Sequence, residues 1–198
     1  NFTGNRIWGL FGPREMPYDL DRDTATVLSL AQMTSKAIEV LNKNENGFFM
    51  MVEGSKVDWA AHANDPAAIM SEFLAFDQAV GAAIDFARKD GNTTVIILSD
   101  HGNSGLSIGK SNMSKSYTRM TLQDLMGSVS NYRKTAEGLE KILINTKPEN
   151  IKEVFKQYTG IELTDDEMKS LKGSKNYRAE SYMDATHVEN MTFFITRI

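Results

Sequence analysis

Two short apolar runs, Phe48-Phe49-Met50-Met51-Val52 and Thr93-Thr94-Val95-Ile96-Ile97-Leu98, bracket a long helical pattern. Unbroken apolar runs of this length, the second rich in β-branched residues, fit strands buried on both faces of a parallel sheet. Between them Asp65-Pro66 opens a helix, because aspartate caps free N–H groups and proline is tolerated at the first helical position. Ile69, Phe73, Phe76, Val80, Ala83, Ile84 and Ala87 keep one face of that helix inward, and Gly91-Asn92 ends it. Strand, helix, strand in this order predicts a βαβ unit with parallel strands, and hence an α/β fold.

The rest of the chain extends this plan. Ile7 to Phe11 reads as a short strand, and Thr24 to Lys43 has helical periodicity that Asn44 to Gly47 interrupts. After Gly109 the character changes. From Lys110 to about Asn176 the sequence is polar and helix-like, with candidate helices at Thr121 to Met126, Tyr132 to Asn145, Pro148 to Tyr158 and Thr164 to Leu171. Thr164-Asp165-Asp166-Glu167 has the form of a capping box. We expect one partial domain over residues 1–198 with a helical insertion at 110–180, and a last strand over Met191 to Thr196.

Composition narrows the function. A chain of 198 residues can bury a sizeable core. With a net charge of −4 and no dominant basic patch, nucleic acid is not an expected partner. No apolar stretch reads as long enough to span a bilayer. Cysteine is absent, which removes disulfides, thiolate metal sites and a cysteine nucleophile. No leader-like segment opens the sequence, and Asn1 in place of Met points to a processed or cut protein.

All three histidines sit in settings that suit a metal. In open α/β sheets, ligands gather at the carboxyl ends of the strands. Glu53 is the first residue past one run, and Asp100-His101 lies just past the other. Asp58 and His62, four residues apart, share a face if their segment is helical. Singly, each has a simpler reading: a surface pair, a turn with a capping carboxylate, the end of a strand, a polar loop residue for His187. Together, at equivalent ends of two strands, they point to metal binding. Imidazole with carboxylate suits zinc, and all-oxygen positions suit magnesium.

The stretch Met51-Val52-Glu53-Gly54-Ser55-Lys56-Val57-Asp58-Trp59-Ala60-Ala61-His62-Ala63-Asn64-Asp65 resembles the metal-binding motif of alkaline phosphatases. Leu98-Ser99-Asp100-His101, followed by Gly105 to Gly109, resembles the family's second motif, and Glu72, Phe76, Asp77, Ala79 and Val80 follow its pattern between the two. The resemblance implies a three-layer αβα fold with a mostly parallel central sheet, incomplete here. It further implies a first zinc on Asp58, His62 and His187, a second zinc on Asp100 and His101, and magnesium on Glu53. In such enzymes a serine attacks a phosphate monoester, and a zinc-bound hydroxide releases inorganic phosphate from the phosphoseryl intermediate. A periplasmic or secreted location follows from the same resemblance, and a homodimer is open.

The sequence also departs from the family. Gly102-Asn103-Ser104 stands where a Glu-Thr-Gly type continuation is common, and Val188-Glu189 follows His187 in place of Thr-Gly. No Asp-Ser-Ala type nucleophile motif occurs, nor matches to the family's upstream aspartate, threonine and phosphate-gripping arginine. The expectation is a C-terminal metal-binding portion of an alkaline phosphatase, with no catalytic nucleophile of its own and inactive alone. The alternatives are another member of the same metal-hydrolase superfamily (a phosphodiesterase, sulfatase or phosphomutase) and a non-catalytic, metal-stabilised binding domain.

Overall fold

The computed structural model describes residues 6–106, 116–174 and 195. Their regular elements are α1 (Leu30–Leu41), α2 (Ser55–His62), α3 (Pro66–Asp90), α4 (Leu122–Met126), α5 (Ala136–Ile144), α6 (Ile151–Thr159) and α7 (Asp165–Ser174), with single 3-10 turns at Tyr117–Arg119, Val129–Asn131 and Pro148–Asn150.

Local chemistry sets the helix ends. α1 starts at Leu30, six residues later than its periodicity predicts. Asp23 takes up the preceding backbone by accepting from Ala25 N and Thr26 Oγ1, and Ser29 and Gln32 then close a reciprocal capping box. α3 follows the expectation closely: Asp65 accepts from Ala68 N at 3.0 Å, Pro66 takes the first position, and Gly91 ends the helix at φ 71°. Thr164 and Glu167 form the expected capping box at the start of α7.

The inward face of α3 differs from the prediction. Its buried residues are Ala67, Ala68, Glu72, Ala75 and Ala79, while Phe73 is exposed. Small side chains let α1 and α2 approach the helix closely, so the alanines take the packed stripe. Phe76 and Phe86 turn instead toward the first apolar run: the Phe86 ring lies 6.1 Å from that of Phe48, and a Cβ on Gly54 would meet the Phe76 ring at 2.8 Å.

Where the expected strands fall on described residues, they are not paired. Among the described residues none is assigned to a strand, including Ile7–Phe11, Phe48–Val52 and Thr93–Leu98. In the first run burial still alternates with the period of a strand. Phe48, Met50 and Val52 are half-buried, whereas Phe49 (89 %) and Met51 (81 %) are exposed. Thr93 and Val95 are half-buried, but Thr94, Ile96, Ile97 and Leu98 are exposed. One face of the first run is covered and the other is open, rather than both being buried. A strand becomes a strand only by pairing its backbone groups with a neighbour.

The helical block has a core of its own. Leu139, Leu143, Ile151, Phe155, Leu163, Met168 and Leu171 are buried together. Ile195 joins them, 1 % exposed and helical, so this one described residue of the predicted last strand belongs to the helical core instead. The N-terminus of α5 rests on two carboxylates from outside the block. Asp21 accepts from Thr135 N and Oγ1, and Asp65 accepts from Ala136 N at 2.7 Å. Negative charge at a helix N-terminus is stabilising.

By length and composition alone α3 is long and apolar enough to cross a membrane, contrary to the expectation from sequence. It packs against α1 and α2 and carries the buried Glu72 on that side.

Candidate metal centre

α2 begins after Gly54, whose missing side chain makes room for Phe76. It is a two-turn helix, so Asp58 and His62 fall on one face, and the structure sets His62 Nε2 3.5 Å from Asp58 Oδ1. His101 arrives from the end of the second apolar run, its Nε2 4.0 Å from the same oxygen and 3.7 Å from Asp100 Oδ2. The backbone of His101 donates to Asp100 Oδ1 at 3.0 Å. Asp58 therefore lies between two imidazoles brought from separate parts of the chain.

The spacing carries chemical information. At 3.5 Å and beyond, these nitrogen–oxygen pairs are longer than ordinary hydrogen bonds. Two donors about 2.0–2.1 Å from one tetrahedral zinc stand roughly 3.3 Å apart, so the Asp58–His62 separation suits a pair of ligands. The donor chemistry and the spacing of this pair fit zinc. Among the described residues, however, no group of three or more His, Asp and Glu side chains forms a metal cage.

Of the other predicted ligands, Asp100 touches the cluster through His101, and the rest are less closely placed or outside the described residues. Asp100 is 87 % exposed at its side chain, and Glu53 is exposed just ahead of α2. His187 lies outside the described residues.

The structure adds contacts that sequence reasoning missed. Asn103 Nδ2 donates to Asp58 Oδ1 at 2.7 Å. Lys56 Nζ lies 4.7 Å from the Tyr18 ring centre and 4.0 Å from that of Trp59, and burial pushes its pKa down. The Lys56–Trp59 pairing was latent in their i, i+3 spacing; Tyr18 comes from a distant loop and left no such signal.

The family model for alkaline phosphatase matches residues 3–187, running through the helical block as well as both motifs. Alkaline phosphatase 4 of Bacillus subtilis is 40 % identical over 169 residues, which is 85 % of this chain and 34 % of that protein. Alkaline phosphatase 3 of the same organism is 50 % identical over 105 residues, covering 53 % of this chain and 22 % of the relative. The chain thus spans about a third or less of the length of these curated relatives. Among solved structures, the cold-active alkaline phosphatase of a psychrophilic Shewanella species superposes with a TM-score of 0.71 at 23 % identity, over 91 % of this chain and 40 % of that one. Thermus thermophilus alkaline phosphatase gives 0.69 at 26 % identity, over 86 % and 36 %.

The fold is the α/β fold of these phosphatases. The chain belongs to the alkaline phosphatase family.

Proposed function

We propose that this chain carries the metal-ligand portion of a phosphate monoester hydrolase whose whole protein acts through a phosphoseryl intermediate. The observation that carries this reading is the Asp58 carboxylate set between the imidazoles of His62 and His101. In this reading Asp58, His62 and His187 hold one zinc, Asp100 and His101 a second, and Glu53 magnesium. Bound zinc would supply Lewis-acid stabilisation of charge on phosphoryl oxygens.

The chain's own residues do the rest. Asp58 brings negative charge that partly offsets a dication, and His62 and His101 offer neutral nitrogen donors while unprotonated. The exposure of all three leaves a substrate oxygen access from solvent. The finer architecture we infer is a three-layer αβα sheet domain, represented here in part, with 110–180 as a helical insertion. A periplasmic or secreted location and a homodimeric whole protein belong to the same proposal.

The nucleophile motif is not in this sequence, so the chain by itself should turn over little or no phosphate monoester. An assay of the pure chain with an aryl phosphate, zinc and magnesium tests this. Robust turnover that disappears in Asp58→Ala or His101→Ala would overturn it. Zinc should still bind near neutral pH, and its release should take up protons, because these ligands bind metal only in their deprotonated forms. Calorimetry that detects no zinc binding at neutral pH would count against the ligand assignment. Assaying the whole protein against monoester, diester and sulfate ester separates the phosphatase reading from other metal hydrolases. The missing nucleophile motif also favours a second reading, a non-catalytic metal-stabilised binding domain. A whole protein with no phosphatase activity would support that one.

A further inference from the structure

The geometry points to Asn103 as a positioning residue that fixes the Asp58 carboxylate for metal binding, an inference that rests on the ligand assignment proposed above. Asn103 Nδ2 lies 2.7 Å from Asp58 Oδ1 and 3.4 Å from the Asp58 main-chain oxygen, so one amide group reaches the side chain and backbone of the same residue. The amide must present its nitrogen here, because the flipped group would set its oxygen against two oxygens of Asp58.

The loop is shaped to deliver this contact. Asn103 is half-buried, while His101, Gly102, Ser104 and Gly105 on either side are exposed. Immediately after it the backbone turns through two positive φ values, 64° at Ser104 and 77° at Gly105, and Gly105 N donates to Asn103 O at 2.9 Å. A serine is held in a region that side-chain-bearing residues rarely adopt, at the one place where the turn aims Asn103 at α2. Two residues before Asn103, His101 sets its Nε2 4.0 Å from the same Asp58 oxygen.

A carboxamide suits the task chemically. It takes one lone pair of Asp58 Oδ1, the oxygen that both imidazoles face, and a carboxylate oxygen keeps a second lone pair for a cation. It carries no charge, so it orients the ligand without repelling the metal as a lysine or arginine would. Partners of this kind restrict a ligand to its binding geometry, and their loss typically weakens metal affinity about 10–100-fold.

The test is zinc binding by the full chain, measured calorimetrically in competition with a chelator, for wild type, Asn103→Leu, Asn103→Ala and His62→Ala. Leucine keeps the volume of asparagine and removes the donor. Both Asn103 variants should bind zinc about 10–100-fold more weakly, while their metal-free melting temperatures match wild type. Wild-type affinity in both Asn103 variants, with His62→Ala weakened, would overturn this inference alone. So would a loss of affinity matched by a fall in metal-free melting temperature, which would mark a merely structural role. No zinc binding by wild type, or none lost in His62→Ala, would overturn the ligand assignment and this inference with it.

Discussion

Glu72 shows how one side chain can be tuned by where a helix carries it. It sits on the packed stripe of α3, 9 % exposed, and accepts from Asp19 N at 2.5 Å. Burial raises its pKa above the usual 4.5, outweighing that hydrogen bond and the nearby Lys56 charge, which both lower it. A carboxyl group with a raised folded-state pKa contributes its full stability below the unfolded value and loses it as pH rises through the folded value. Glu72→Gln keeps an acceptor for Asp19 N and removes the charge. Its stability relative to wild type should therefore rise as pH increases from about 4.5, in paired denaturant melts. A pH-independent difference would show that the charge is not penalised. At this scale sequence was a good guide wherever helical period alone decides proximity, as for Asp58 and His62. It was silent on Asn103, whose reach to Asp58 depends on two positive φ angles in a loop with no repeating pattern.

At the scale of elements, Asp65 ties two helices together. One carboxylate oxygen caps α3 at Ala68 N, and the other takes Ala136 N at the start of α5, 71 residues away. With Asp21 on Thr135, it anchors the helical block to the part of the chain that holds α2. Asp65→Ala leaves two buried N–H groups without their partner, and should cost about 2–3 kcal/mol at typical cap strengths. A chemical denaturation midpoint close to wild type would refute the double-cap role. Hydrogen exchange should quicken at Ala68 and Ala136 together, because both amides lose the same acceptor. Half of this was legible: Asp65-Pro66 is a helix start by composition. The α5 half was not, since no local rule tells which distant N–H a carboxylate will also accept. The predicted start of α1 failed for a related reason, a turn closed by Asp23 before Ser29 could cap.

Across the whole molecule, large apolar side chains stand in solvent. Phe49, Met51, Ile96 and Leu98 are each more than 70 % exposed, on segments whose opposite faces are partly covered. Open apolar segments with unpaired backbone groups recruit other chains. Sedimentation velocity should show the average mass of the pure chain rising with concentration, and Phe49→Lys with Ile96→Lys should suppress the rise. A wild-type chain that stays monomeric at every concentration would contradict this. Sequence by itself determined where α1 and α3 to α7 lie to within a few residues, the caps of α3 and α7, and which residues are candidates to ligate a metal, because each follows from local period or side-chain chemistry. Tertiary structure decided which face of α3 is packed, where Ile195 goes, and that His101 and Asn103 meet Asp58. Those outcomes depend on contacts between residues far apart in the chain. The apolar runs lie between these cases: the alternating burial of Phe48 to Val52 is a local property, but pairing into a sheet requires a neighbouring strand, which no run specifies alone.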